Sequence, residues 1–475
     1  MSNMSNIRRA MVNAAYDKAY ALINNDDMHI RFKDIKEFIR NDESLTQDEK
    51  VECIRRFDGD YDYFKVVQND GTKRLCENCQ ERCLATLYCE VCVRKYLISK
   101  FSNWTSGSKI IDDLLQKCQR ESLIPYMIVE WIPYDSFQNL EFLAKGGCSD
   151  IYIADWIDGC YKEWDVKEKK LKRSGPCKVV LKKLENVENA NRTWLEEATS
   201  HLFISNKWGS IVQCFGLTKD PSNDKFMLVM NHMDIDLRRY LQQNRNEITW
   251  KTKIQIVFEI IKAVCRIHEE NSVHRDLHSG NILYSKDKND WYISDLGFCG
   301  PANKPLKSVY GNLPYIAPEV IFKNEYTFKS DIYAIAMLMW EILYEQPPFL
   351  NQKHGYELAL NISNGIRPHI LPETPLKFKE LMEQCWDADP EKRPDIHTLW
   401  KKLEEINKSF HEDSDYWKNI HFDINSNIKS SYSNSKLYSF HNIPEPRNAT
   451  KEEQEAYHTT QFDLNISDSE IPDDI

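Results

Sequence analysis

Two carboxylates and an amide stand at fixed offsets near the middle of this chain: His274-Arg275-Asp276-Leu277-His278-Ser279-Gly280-Asn281, then Asp295-Leu296-Gly297, beginning fourteen residues after Asn281. The apolar run 254–267 precedes this polar loop and the strand-like 291–293 follows Asn281, so the chain must fold to hold charged groups between buried elements. Phosphoryl transfer makes that demand. It needs one carboxylate at an acceptor hydroxyl and further oxygens at magnesium, a hard ion that prefers oxygen donors. Asp276 is the candidate catalytic carboxylate, and Asn281 and Asp295 are the candidate magnesium ligands. A lone His-Arg-Asp is noise; with Asn281 and Asp295 in these registers, chance is a poor explanation.

Upstream, Lys178-Val179-Val180-Leu181-Lys182 reads as a strand whose last residue reaches nucleotide phosphates. Side chains alternate along a strand, so Lys183 faces away from the ligand side while Val180 shares it with Lys182. A helix around 194–203 offers Glu196 and Glu197 as partners for Lys182; taken alone, such a pair is an ordinary solvated ion pair. Before the strand, Ala144, Gly146 and Ser149 occupy the three positions of a G-x-G-x-x-G frame, with Gly147 beside them and Ile151 following. Small side chains at two of these positions impair, without blocking, the approach of backbone to phosphate. Residues 226–233 read as a strand and hinge for adenine, with Met230 at the back wall and Met233 in the hinge.

Cys76-x2-Cys79 and Cys89-x2-Cys92 form two knuckles nine residues apart, a spacing that offers four thiolates to one tetrahedral zinc. Cys83 is an alternative ligand, and free thiols in a small core are the alternative to zinc. Five of the fourteen cysteines crowd into this stretch while the rest are scattered singly, a distribution that favours a metal site in a reducing compartment over a disulfide scaffold. Such a site would be structural or bind a protein partner.

A net charge of -11 argues against a general nucleic-acid coat. The longest apolar run, 332–340, ends at Glu341, short of a membrane span, and the expected location is intracellular, in the cytoplasm. Residues 1–70 read as a helical extension, with Val12, Tyr16, Ala19, Tyr20 and Ile23 on one face and a capping box at Thr46-Gln47-Asp48-Glu49. Residues 71–105 form the cysteine module, and 136–408 an α+β domain. Residues 411–475 are acidic, rich in Asn and Ser, and expected to be mostly disordered. The basic run 167–173 reads as a solvated loop.

From about 136 to 400 the chain resembles a protein kinase of the tyrosine-kinase-like group. Phrases such as Tyr310-Gly311-Asn312-Leu313-Pro314-Tyr315-Ile316-Ala317-Pro318-Glu319 and Asn442-Ile443-Pro444-Glu445-Pro446 are similar to the expanded kinase family of arbuscular mycorrhizal fungi. The resemblance implies a bilobal fold with a small β-rich lobe and a larger helical lobe, ATP and magnesium in the cleft, and a protein Ser/Thr hydroxyl as acceptor. It favours Glu197 over Glu196 as the partner of Lys182, pairs Arg393 with Glu319, and assigns Asp331 to bracing the catalytic loop. Ser308 and Tyr310 fall in the activation segment, where phosphorylation would pair with Arg275. Two departures bear on the acceptor: His278 stands where Ser/Thr kinases usually carry Lys, and Asn312 where they carry Thr. With the depleted glycine loop, these keep a pseudokinase or adaptor scaffold as the alternative. A histidine donating to phosphate would also make activity pH-dependent.

Overall fold

A computed structural model describes residues 8–23, 25, 27–145, 149–185, 193–301, 308–350, 352–412 and 435–469. It divides into two compact units, Met1–Ile132 with Trp156–Cys177, and Pro133–Asp155 with Lys178–Ile475.

In the first unit, α1 (Arg9–Leu22), α2 (Met28–Asn41) and α3 (Gln47–Gln68) bury an apolar cluster that includes Val12, Ala19, Phe32, Ile35 and Phe57. The face predicted for α1 is the packed one: Val12 and Ala19 are core, and Tyr16, Tyr20 and Ile23 lie against it. The capping box opens α3, with Glu49 N–H donating to Thr46 Oγ1 (3.3 Å) and Thr46 N–H donating to the Glu49 carboxylate (2.9 Å). That buried carboxylate also accepts from Arg8 Nε at 2.8 Å, so its burial is compensated.

After α3 the chain makes a short antiparallel pairing of Arg74–Leu75 with Arg82–Cys83, then α4 (Glu90–Ile98) and α5 (Lys109–Glu121). The last turns of α3 hold this region. Asp62 accepts from the Thr86 and Leu87 N–H groups at 2.7 Å, and Lys65 donates to Leu84 O and Thr86 Oγ1 at 2.8 Å. The helical extension and the cysteine segment, read from sequence as separate stretches meeting at residue 70, therefore pack within one unit. The basic run is not a solvated loop. Lys170–Arg173 pairs antiparallel with Tyr161–Asp165, and alternation sends Leu171 into a cluster with Val66, Leu84 and Tyr88 while Lys170 and Lys172 stay outside. Arg173 clamps Glu130 through two hydrogen bonds of 2.8 and 2.6 Å.

The second unit begins with the strands β1 (Phe137–Lys145), β2 (Asp150–Trp156) and β3 (Cys177–Lys183), followed by α6 (Trp194–Ile204), β4 (Cys214–Lys219) and β5 (Phe226–Asn231). They lie side by side in the order β4-β5-β3-β2-β1. The β5/β3 register sets Leu228 opposite Lys182 and Met230 opposite Val180. A second small sheet, β6 (Ile235–Asp236), β7 (Ile282–Ser285) and β8 (Asp290–Ile293), flanks the polar loop. The helices α7 (Leu237–Gln243) and α8 (Trp250–Glu269) come between β6 and β7. Next come β9 (Val309–Gly311), α9 (Pro318–Lys323), α10 (Phe328–Tyr344), α11 (Tyr356–Ser363), α12 (Leu376–Cys385) and α13 (Ile396–Glu412). α10 is buried from Ser330 to Tyr344, too apolar to be anything but a central helix. Among the described residues no helix is long and apolar enough to cross a membrane.

Part of the stretch expected to be without structure is ordered: β10 (Lys436–Tyr438) pairs antiparallel with β9, and α14 (Lys451–Ser469) follows. Composition misses this because only a few apolar residues of the tail, such as Tyr438 and Ile443, are buried, and hydrogen bonds to backbone groups add to them. Arg447 N–H donates to Ser363 O (3.0 Å), Ala388 N–H to Asn448 Oδ1 (2.9 Å), and Gln454 Nε2 to Gly365 O (2.7 Å). Gly365 has φ +90, and a Cβ there would stand 2.2 Å from Ala449 N, so only glycine lets the tail pass.

Arg393, fully buried, donates to both oxygens of Glu319 at 2.7 Å and to Lys329 O and Asp387 O. Removing one partner strands the other charge. Arg393→Ala is expected to lower unfolding stability by about 3–5 kcal/mol, read as a shifted denaturant midpoint; an unchanged midpoint contradicts this account of the pair.

Candidate active site

Strand alternation aims Lys182 inward from β3, and its ammonium lies 2.8 Å from Glu197 Oε1 on α6 and 2.6 Å from Asp295 Oδ1 after β8. Glu196, the rival carboxylate, is spent on the N-terminal capping box of α6 with Thr193. Burial would neutralise both partners of the Lys182–Asp295 contact. The mutual attraction outweighs it, so the ammonium is held above and the Asp295 carboxyl below their ordinary ranges. A Cβ at position 297 would stand 2.8 Å from Asp295 Oδ1 and press on the carboxylate that pairs with Lys182.

The β7/β8 hairpin explains why Asn281 and Asp295 meet. Ile282 opposes Ile293, and Ser294 N–H donates to Asn281 O at 2.8 Å, so the residues flanking the pair come side by side. Asn281 Nδ2 donates to Asp276 O (2.9 Å), so its amide oxygen is the atom it can offer to a cation. Asp295, its side chain 36% exposed, keeps a carboxylate oxygen beyond the one on Lys182. One amide oxygen and one carboxylate suit magnesium.

Asp331, at the start of α10, accepts from His274 N–H (2.8 Å) and Arg275 N–H (3.1 Å), and its carboxylate also lies 2.9 Å from His268 Nε2 on α8. It thereby pins a strained turn, since Arg275 has φ +72. His274 accepts Asp276 N–H at Nδ1 (3.3 Å) and turns Nε2 toward Ser294 O (3.1 Å). Asp276 is buried, and its Oδ1 accepts from Ser435 Oγ at 2.7 Å.

His278 faces the same hydroxyl. Its Nδ1 accepts from Gly280 N–H and from Arg238, both at 3.0 Å, so the ring proton is on Nε2, 2.9 Å from Ser435 Oγ. Burial lowers the imidazole pKa against the pull of Asp276 at 3.7 Å, and Arg238 lowers it further. The histidine is neutral at physiological pH.

Ala144 is the penultimate residue of β1, Ser149 is buried before β2, and Ile151 lies within β2; Gly146 and Gly147 fall outside the described residues. Met230 is buried in β5 and Met233 follows it. Tyr310, read from sequence as a loop hydroxyl, is buried: its ring stacks on Phe298 with centroids 3.5 Å apart, and its backbone exchanges hydrogen bonds with Tyr326 Oη. Arg275 donates to Phe298 O and Pro301 O, so it already holds this segment.

Sequence reasoning missed Arg238, His201 and Ser435. His201, which accepts Leu296 N–H at Nε2 (3.2 Å), had a signal, because four residues from Glu197 it shares that helix face. Ser435 had none, being one of many serines in a polar tail.

Residues 137–403, more than half of the chain, match the family of protein tyrosine and serine/threonine kinases. This chain is a member of the protein kinase family. Its relatives include the probable serine/threonine-protein kinase roco7 of Dictyostelium discoideum, 27% identical over 59% of this chain and 10% of that protein. The serine/threonine-protein kinase VIK of Arabidopsis thaliana is 31% identical over 58% of this chain and 61% of that protein. The dual serine/threonine and tyrosine protein kinase of Mus musculus is 33% identical over 38% and 19%. The match thus spans about a tenth of roco7 and under two thirds of VIK.

In the first unit, the sulfurs of Cys76, Cys79, Cys89 and Cys92 all lie within 4.8 Å of one another, and Cys76–Cys92 and Cys79–Cys89 are each 3.7 Å apart. That is far beyond a disulfide and matches the roughly 3.8 Å edge of a tetrahedron with zinc–sulfur bonds of about 2.3 Å. Cys83 groups instead with Cys89 and Glu90.

For the kinase, the neutral His278 carries a pH consequence. The unfolded chain takes up this proton near 6.5 and the folded chain only at lower pH, so its contribution to stability is complete above 6.5 and is lost as pH falls below it. The His278 imidazole resonances are expected to titrate below 6.5, and His278→Gln to flatten the acid limb of stability; a His278 midpoint at or above 6.5 contradicts this.

Proposed function

We propose that this chain is an ATP-dependent protein kinase that transfers the γ-phosphoryl group to a protein hydroxyl, with Ser/Thr as the acceptor class. The observation that carries the reading is the Lys182 ammonium held between Glu197 and Asp295 while Asp276 faces a hydroxyl at 2.7 Å. Lys182, so placed, binds the α and β phosphates. Asp276 orients the acceptor and receives its proton as the bond to phosphorus forms. Asn281 and Asp295 would hold magnesium, which supplies neutralising charge to the phosphates. Ala144, Gly146, Gly147, Ser149 and Ile151 cover the nucleotide, and Met230 and Met233 border its base. Where His278 replaces the usual lysine, an Nε2–H takes over donation to the acceptor oxygen, so this departure leaves the acceptor with a donor.

The tyrosine-kinase-like assignment and the lineage among arbuscular mycorrhizal fungi rest on the phrases around Tyr310–Glu319 and Asn442–Pro446. A cytoplasmic location fits thirteen described cysteines that are all free. The four-sulfur cluster is read as a structural zinc site: it is closed, two ligands come from each knuckle, and Asn78 Nδ2 donates to Cys92 Sγ at 3.3 Å. A protein partner at this module completes the reading.

Asp276→Asn is expected to lower phosphorylation of casein by about 10²–10⁴-fold with the unfolding midpoint preserved; equal turnover demotes the chain to a scaffold. Separately, the purified chain is expected to carry one zinc that Cys89→Ser abolishes, measured by elemental analysis. A metal-free native chain removes the zinc reading.

A further inference from the structure

The tail enters the active site as a substrate does. β10 adds to β9 in antiparallel register, Val309 opposite Tyr438, Tyr310 opposite Leu437 and Gly311 opposite Lys436, and the residue immediately before β10 is Ser435. Peptide recognition by strand addition works this way: main-chain pairing sets the register and delivers one side chain to the chemistry. Ser435 is buried, its Oγ 2.7 Å from Asp276 Oδ1 and 2.9 Å from His278 Nε2. Because His278 Nδ1 already accepts, Nε2–H donates to Ser435 Oγ and the serine proton points at the carboxylate. Beyond β10 the chain is fixed to the same unit through Arg447, Asn448 and Gln454, so this serine is supplied at high effective concentration.

We propose that Ser435 is a phosphoacceptor of its own active site, modified in cis while residues 435–438 lie as a substrate strand on β9; this deepens, and rests on, the kinase reading. In the step, a Ser435 Oγ lone pair forms the bond to the γ-phosphorus of ATP. The bond from that phosphorus to the β,γ-bridging oxygen breaks, its electron pair leaves with ADP, and the serine proton passes to Asp276, which releases it to solvent and is again a carboxylate. The product places a phosphate of charge about -2 against the Asp276 carboxylate. Like-charge repulsion then drives the strand off β9 and vacates the acceptor groove for other proteins.

The test uses the full-length chain, stripped by a phosphatase and given ATP with magnesium, casein being present as an independent acceptor. Site-resolved mass spectrometry is expected to find phosphate on Ser435 at a first-order rate unchanged over a tenfold range of chain concentration. Ser435→Ala is expected to lose that label and phosphorylate casein faster. In hydrogen exchange, the phosphorylated chain is expected to lose protection at the amides of 309–311 and 436–438. Casein labelled without Ser435 overturns this proposal and leaves the kinase reading standing. A Ser435 rate that scales with chain concentration overturns the cis route, and no label on either acceptor overturns both readings. Unchanged protection after phosphorylation overturns the release step.

Discussion

The ammonium of Lys182, shared between Glu197 and Asp295, is the interaction on which the active site depends. It joins three elements far apart in sequence, a strand, a helix and a loop. Each carboxylate alone would be costly at its depth, and the lysine without them would shed its proton. Together they stay charged, so the site holds a preorganised cation beside a carboxylate, as the proposed roles toward phosphate and magnesium require. Gly297 and His201 serve this arrangement, the first by leaving room for Asp295 and the second by taking Leu296 N–H.

Around this centre, rigidity is spent where backbone is strained. Arg275 and Asp295 both hold positive φ, a conformation that costs about 1–3 kcal/mol each and persists only when neighbours enforce it. For Arg275 the enforcement is Asp331, whose two oxygens take consecutive N–H groups; for Asp295 it is Lys182. The same logic extends outward to Glu319, locked by Arg393 under the segment that carries β9. The acceptor groove is therefore a firm surface, and a strand laid on it is placed with little freedom.

Much of this was legible in the sequence because it lies in short-range patterns. The offsets among Asp276, Asn281 and Asp295 follow from one hairpin, the capping box of α3 from four consecutive residues, and the inward aim of Lys182 from strand alternation. Glu197 over Glu196 required the family register, and the structure adds the reason: Glu196 closes its own helix terminus. What was not legible depends on contacts between distant segments of ordinary composition. Leu171 in a basic run becomes core only because Val66 and Leu84 meet it. Tyr310 is buried by Phe298 and Tyr326. The tail has too few apolar residues to announce order, yet it docks by backbone hydrogen bonds that no periodicity encodes, and this is how Ser435 reaches Asp276. His278 looked like a pH-sensitive weakness. Arg238, forty residues away, fixes it instead as a neutral donor.

The central claim is that the Lys182–Glu197–Asp295 cluster is an assembled site for magnesium and ATP, and calorimetric titration of magnesium-ATP into the folded chain tests it most directly. The account predicts saturable one-to-one binding that weakens by at least about tenfold in Lys182→Ala, the loss of one charge-assisted contact to phosphate, and that requires magnesium in the native chain but loses this requirement in Asp295→Asn. Absence of binding, or equal affinity in the native chain and Lys182→Ala, would contradict it.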